Sequence, residues 1–431
     1  MNLNRKAYAW VPSLYMAEAL PYVAVMVIAT TMYKRLGLSN TDLALYTSWL
    51  YLPWVIKPLW SPLVAAVKTE RWWVLLMQML IGAGFAGIAL TLPTSHWLQG
   101  SLAFFWLLAF ASATHDIAAD GLYILGLSTH DQSLYVGVRS TFYRIGNIVG
   151  QGLIVMLAGW LEKSHTVPVA WSIAFLVLAG TFLALWLWHT AALPSPSGRQ
   201  SRSAESSPSS SPLPQKEEGG VEGSKSIIRI FCSKPHIVSA LLFMLLFRFP
   251  EAQLVKIANP FMLDTASAGG LQLTTESVGF IYGTIGILGL TFGGLLGGWC
   301  VSQRGLKYWW WPMVMAISLP DLVYVYMAAF APSLLTINVC VFVEQFGYGF
   351  GFTAYMLYLV YFSQGERSTA VFSICTAFQA LGMMLPGMLA GWMADTLGYL
   401  RFFWWVFFCC IVTCAVSALV KIDGSYGRKE S

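Results

Sequence analysis

Charge is scarce in this chain. Only 10% of its 431 residues are Asp, Glu, Lys or Arg, against about 25% in an ordinary globular protein. That shortage excludes a set of soluble domains. Polar stretches are scarce too. The longest, residues 191–226, holds almost nothing that could form a core, so no soluble catalytic domain is expected. Cysteine is sparse and uneven: there are seven, none before Cys232. They fall mostly inside apolar runs, which excludes a disulfide framework and reads as small buried residues. No His/Cys cluster has metal-ligand spacing, and no nucleophile has a readable base. Neither a metal, a cofactor nor an enzyme is therefore expected. The apolar runs are continuous rather than alternating, which excludes a transmembrane β-barrel.

What is present is hydrophobic residue, 57% of the chain. A helix needs about 20 apolar residues to cross a bilayer. The sequence predicts twelve such spans, at 10–33, 43–64, 72–92, 102–127, 135–161, 167–189, 236–263, 277–301, 309–330, 334–362, 369–393 and 402–420. The expected fold is an all-α polytopic membrane protein. The first span is too long for a signal peptide and lacks a small-residue cleavage site, so it should be retained. An even number of spans puts both termini on one side. Arg5, Lys6, Lys68, Arg71, Arg304, Lys307, Arg367, Lys421, Arg428 and Lys429 then share that side with the central basic residues. Lys34, Arg35, Lys163 and Arg401 lie opposite. The positive-inside rule makes the first side cytoplasmic. The net charge of +5 is thus a matter of topology, and no nucleic acid partner is expected.

The segment 191–226 is rich in Ser, Pro and Gly and reads as a disordered cytoplasmic linker. It separates an N-terminal six-helix bundle, 1–190, from a C-terminal one, 227–431. The halves echo each other. Met156-Leu-Ala-Gly-Trp160 recurs as Met388-Leu-Ala-Gly-Trp392, and Gly150 maps onto Gly382 at the same offset. Two parallel six-helix repeats are the major facilitator design, with substrate held near the midplane between halves that rock.

Charges inside spans are expensive, about 2.5–3.5 kcal/mol each on insertion scales. Glu18 lies in the first span and Lys57 in the second. Asp116 and Asp120 lie four apart on one face of the fourth. Two carboxylates so placed resist double ionisation, which suits a proton carrier. The alternative is a structural pair neutralised by Lys57 or Arg144. His115 is adjacent but about 100° around the helix, which favours a packing role. In the fifth span Arg144, Asn147 and Gln151 form one polar stripe. Arg144 offers a fork for a carboxylate and the amides can reach hydroxyl and acetamido groups. Their alternative is an interhelical clamp. In the seventh span Arg248 and Glu251 flank a proline that should break the helix, with Asn259-Pro260 further on. The pair either neutralises itself or opens as the halves move. Asp321 lies in the ninth span and Glu344-Gln345 in the tenth. The glycines after Gln345 should let helices approach closely. No strand precedes them, so they are not a nucleotide fingerprint. Trp72-Trp73 and Trp309–Trp311 read as interfacial anchors. Trp49, Tyr143 and Tyr355 are candidates for stacking on a sugar ring, with core packing the simpler reading.

These motifs, in order, resemble the AmpG-type muropeptide permeases. Trp49 through Lys57-Pro-Leu-Trp-Ser-Pro62 resembles their second-span motif. Ser112-Ala-Thr-His-Asp116-Ile-Ala-Ala-Asp120 resembles the fourth-span motif, though Gly121-Leu follows instead of Ala-Trp. Tyr143-Arg144-Ile-Gly146, Arg248-Phe-Pro-Glu251, Glu344-Gln-Phe-Gly-Tyr-Gly and Pro386 through Trp392 match further motifs. Two extra spans found in some members are absent, as is the Asp-Arg pair usual after the second span. The resemblance implies proton-driven import of an N-acetylglucosaminyl-anhydro-N-acetylmuramyl peptide across a bacterial inner membrane. It makes Lys57, Asp116, Asp120, Arg144, Glu251 and Glu344 functional candidates. The full expectation is Asp116, Asp120, Glu18, Glu251 and Glu344 for proton coupling. Lys57, Arg144, Asn147, Gln151, Arg248 and Gln345 are expected at the substrate. A monomer is expected. The competing readings are another facilitator, for an acetyl-coenzyme A-like anion, a sugar or a peptide, and a non-transporting receptor or scaffold.

Overall fold

The computed structural model describes residues 3–127, 129–194, 229–365, 368–424 and 426–427. Most of the expected linker lies outside them. The described residues are helical and contain no strand. Eleven helices are long and apolar enough to cross a membrane. Spans 1 and 3 to 6 are Ala7–Arg35, Glu70–Thr91, Trp97–Gly126, Gly137–Leu161 and Val167–Ala192. Spans 7 to 12 are Ile237–Leu263, Thr275–Arg304, Leu306–Phe330, Leu334–Ser363, Ala370–Leu397 and Tyr399–Ala418. Span 2 is two helices, Asn40–Trp49 and Leu52–Ala66, with Leu50 and Tyr51 between them. Pro53, at the second position of the second helix, lacks the N–H that would continue the ladder, which accounts for the interruption. Span 7 breaks in the same way. One helix ends at Leu246 and the next begins at Phe249, with Pro250 at its start and Arg248 at the break. Pro260 bends nothing out of helix, which continues to Leu263.

Twelve spans place both described ends on one face, here the terminal face; the other is the distal face. Spans 1 to 6 share two apolar cores, one centred on Phe85, Phe105, Phe175 and Phe182 and one on Trp10, Tyr15 and Leu122. Spans 7 to 12 share two more, around Phe261, Tyr324 and Phe403, and around Phe243, Trp310 and Tyr355. Tyr355 is fully buried and stacks on Phe247, so it packs and is not free for a sugar. Trp310, expected as an interfacial anchor, is also core: it is 5% exposed and its indole N–H donates to the Ser417 carbonyl at 3.1 Å. Trp72 and Trp311 remain exposed.

Four span pairs meet across the two sets: 1 with 7, 2 with 7, 2 with 11 and 5 with 8. The repeated pentapeptide explains two of these seams. A Cβ on Gly159 would sit 2.3 Å from the Glu276 nitrogen at the start of span 8, and one on Gly391 only 1.8 Å from the Asn40 carbonyl oxygen at the start of span 2. Equivalent glycines thus let equivalent helices touch backbone to backbone, both near the distal face. In span 10, Gly347, Gly349 and Gly351 likewise lie against the backbones of spans 8 and 9. π-helical turns interrupt span 1 at Ala24–Ile28, span 5 at Ile148–Ile154 and span 8 at Ile281–Gly286, and those of spans 5 and 8 abut.

Candidate functional site

Spans 1, 2, 4 and 5 bring five charged side chains together on the terminal side of the midplane. Lys57 Nζ lies 3.6 Å from Asp116 Oδ2, which also accepts the Trp54 indole N–H at 3.1 Å. Arg139 Nη2 lies 2.8 Å from Asp120 Oδ1, and the Tyr15 hydroxyl donates to that oxygen at 3.2 Å. The Arg139 guanidinium also covers the Tyr15 ring, 4.4 Å from its centroid. Glu18 lies one turn from Tyr15. It is 8% exposed and its Oε2 has no partner. Three acids therefore face two bases. The side chain of Asp120 is 42% exposed and that of Lys57 25%, so water reaches one end of the group while Glu18 is sealed at the other.

The partner of Asp120 is Arg139, not the expected Arg144. Spans 4 and 5 are antiparallel, so the residue level with Asp120 lies nearer the terminal end of span 5. Arg144 instead turns to span 8, where its Nη2 would lie 3.6 Å from a Cβ on Gly294. Its Nη1 is buried without a hydrogen bond. Asn147 is half-buried nearby. Gln151 lies past the start of the π turn and lines a crevice of about 150 Å³ with Val27, Thr31, Asn259 and Tyr282. None of that space is wide enough to hold a water molecule, so the crevice is not a formed ligand pocket.

In the second set of spans Arg248 and Glu251 form a two-pronged pair, at 2.8 and 2.5 Å. Arg248 also donates to the Tyr348 hydroxyl at 2.9 Å. Glu344 is 6% exposed. Its Oε2 accepts the Gln345 amide at 2.9 Å and lies 3.5 Å from the Tyr324 hydroxyl. That hydroxyl bonds to Tyr282 at 2.5 Å, so Gln345 holds Glu344. Asp321, 5% exposed, accepts only the Cys410 thiol among the described residues, at 3.5 Å. Sequence reasoning therefore named acids that the structure distributes over two places. Asp116, Asp120 and Glu18 are together; Glu251 and Glu344 are not with them. His115, though next to Asp116 in the chain, bonds none of these carboxylates among the described residues. Gln78 bridges it to His189, at 3.1 and 2.9 Å, in a buried packing network.

The distal face carries a set of bonds that sequence spacing does not reveal. Lys34 Nζ lies 2.7 Å from Asp264 Oδ2 and donates to Asn40 Oδ1 at 2.8 Å. Asn40 donates to the Tyr399 hydroxyl at 3.0 Å, and Tyr399 in turn bonds Asp264. Thr41 donates through both its N–H and its hydroxyl to Asp395, at 2.8 and 2.7 Å. Glu162 pairs with Arg35 at 3.0 Å and accepts the Thr275 hydroxyl at 2.8 Å. Lys163 pairs with Glu276. Lys34, Asn40, Thr41, Glu162 and Lys163 all bond residues of the second six spans. In sequence Lys34 and Lys163 read as orientation signals alone, and Asn40, Thr41 and Glu162 carried no signal. Tyr15, Trp54 and Arg139 were equally missed; only Arg139, a charge inside a span, carried a sequence signal.

Two kinds of relative stand beside this geometry. In sequence, the chain is 23% identical over 377 residues to the anhydromuropeptide permease of Escherichia coli strain K12, covering 86% of this chain and 70% of that protein. It is 23% identical over 393 residues to a putative transporter AmpG 4 of Rickettsia conorii, covering 88% of each. In fold, a bacterial homolog of the human lysosomal transporter Spinster aligns over 97% of this chain and 96% of that one, with a TM-score of 0.69 at 14% identity. A D-xylose-proton symporter aligns over 98% of each with a TM-score of 0.68 at 11% identity. The model of the Major Facilitator Superfamily matches residues 13–385, and this chain is a member of that superfamily of membrane transporters.

Proposed function

We propose that the chain is a proton-coupled importer of an anhydromuropeptide, or a closely related amino-sugar fragment, in a bacterial inner membrane. The observation that carries the coupling is the excess acid beside the terminal-side opening. Among the described residues, Glu18, Asp116 and Asp120 face only Lys57 and Arg139 as cations. A full set of charges would leave one buried carboxylate without a counter-ion, which costs several kcal/mol. A proton supplies the missing positive charge. Asp120 is the gateway, because it is the acid most open to water, and Glu18 the sealed store. The named permease of Escherichia coli, at 23% identity, supports the cargo. In this reading Arg144, whose Nη1 is buried without a hydrogen bond among the described residues, meets a carboxylate, and the amides of Asn147 and Gln151 meet acetamido groups.

The cycle follows from the two ends of the molecule. The distal face is latched by the bonds of Lys34, Asn40, Thr41, Glu162 and Lys163 to the other half. On the terminal side, spans 5 and 8 pack chiefly within their own halves. With the loop charges setting the terminal face cytoplasmic, this is the inward-facing state. Two rigid six-helix bundles, 1–190 and 227–431, rock about the 5–8 and 2–11 seams. Substrate and proton enter distally and leave at the terminal face. The test is Asp120→Asn. Its isosteric amide should abolish gradient-driven uptake while membrane abundance stays normal; full uptake in that variant removes Asp120 from the coupling path.

A further inference from the structure

Of the cations in the interior of the spans, away from their ends, Lys57, Arg139 and Arg248 each meet a carboxylate. Arg144 and Lys256 meet none among the described residues. Arg144 faces the terminal side. Lys256 lies on the distal side of span 7 and is 1% exposed. Its ammonium donates to the Thr47 hydroxyl at 3.0 Å and sits 4.9 Å from the Tyr51 ring, both in span 2 of the opposite half. The adjacent Ser48 hydroxyl is buried with no hydrogen-bond partner among the described residues. One turn further along span 7, Asn259 donates to Thr31 of span 1 at 3.0 Å. A neutral hydroxyl and a ring face are poor replacements for the water an ammonium gives up. An apolar residue would seal this seam at lower cost, so the charge calls for a second partner elsewhere in the cycle.

That partner is indicated by where the contacts lie. Thr31, Thr47 and Tyr51 all belong to the first six spans, and they leave Lys256 and Asn259 when the distal face opens. What remains is an ammonium and an amide one turn apart on the same side of span 7. We propose that Lys256 and Asn259 form the entry site for an anionic solute: Lys256 takes a carboxylate, and Asn259 an adjacent carbonyl or hydroxyl oxygen. In the closed distal state Thr47 and Tyr51 replace that carboxylate. This deepens the importer reading and rests on it.

The test uses the full-length protein in right-side-out proteoliposomes, with labelled anhydromuropeptide and the same molecule with its peptide carboxylates amidated. Lys256→Met should raise the KM for distal entry of the acidic probe about tenfold or more, the scale of one charged hydrogen bond, and leave kcat within about twofold. Lys256→Arg should restore most of the affinity. The amidated probe should show the raised KM already in the unmutated protein and lose nothing further in Lys256→Met. Equal effects on both probes, or an effect on kcat alone, would reduce Lys256 to a seam filler and overturn the proposal. If the unmutated protein imports neither probe, the cargo reading fails separately. The site is then tested by a membrane-impermeant amine-reactive ester added distally. Labelling of Lys256 that rises in Gly391→Ala supports it, and absence of labelling in both proteins overturns it.

Discussion

Replacing Gly391 by alanine should force the distal face open. The added Cβ would meet the Asn40 carbonyl oxygen at 1.8 Å, its carbon at 2.4 Å and the Ala44 Cβ at 2.7 Å. A carbon and a carbonyl oxygen normally stay about 3.3 Å apart, so spans 2 and 11 must part by roughly 1.5 Å. The obstacle is backbone, which has no rotamer to change. Overpacking of this kind costs about 1–3 kcal/mol, and the whole penalty falls on the distal-closed state. The ratio of distal-closed to distal-open molecules should therefore drop by about 5- to 150-fold. The assay is a spin-label distance between His165 and Ser267, which are exposed on distal loops of opposite halves. A Cys232→Ser background removes the exposed cysteine. The distance distribution should gain a longer component in Gly391→Ala, and also in Gly159→Ala, whose Cβ meets the Glu276 nitrogen at 2.3 Å. Gly180→Ala, with nothing within 4 Å of its Cβ, should leave it unchanged. Unaltered distances in both seam variants, in folded protein, would refute the idea that these glycines hold the closed seam.

The remaining predictions concern charge. Arg248→Gln strips Glu251 of its two-pronged partner and should cost about 3–5 kcal/mol, the price of breaking a buried pair; Arg248→Gln with Glu251→Gln should recover much of the lost melting temperature, and no difference between single and double variants would sink the pairing argument. Lys34→Ala should raise distal access by weakening the latch to Asp264. If that ion pair is the cause, adding Asp264→Ala should change access little further, whereas additive effects would show two independent roles. Arg139→Gln leaves Asp120 with only the Tyr15 hydroxyl among the contacts described. It should lower gradient-driven uptake by about tenfold or more, in the range of a lost charged hydrogen bond, and an unchanged rate would show that Asp120 needs no cation.

The helical architecture was legible because its cause is local. A run of apolar side chains must satisfy its own backbone in lipid, so composition and length suffice. The break in span 7 was also legible, since Pro250 removes a donor wherever it falls. The repeated Met-Leu-Ala-Gly-Trp pentapeptide announced a duplication, but only the structure shows that Gly159 and Gly391 make equivalent seams. Asp116 and Asp120 were readable as a pair from a spacing of four on one helix. Their partners were not. Whether Arg139 or Arg144 meets Asp120 depends on the register of two antiparallel helices, and no single-helix periodicity contains that register. The distal latch was hidden for a related reason. Lys34 and Asp264 are far apart in sequence, and each looks like an ordinary loop charge alone. Lys256 was visible as a charge inside a span; that its partners are Thr47 and Tyr51 rather than an acid is a fact of the closed seam.

Uptake of labelled anhydromuropeptide into proteoliposomes, with and without an inward proton gradient, bears most directly on the central claim. The account predicts accumulation that collapses when the gradient is dissipated and that is lost in Asp120→Asn. Accumulation indifferent to the gradient, or none in folded protein, would contradict it.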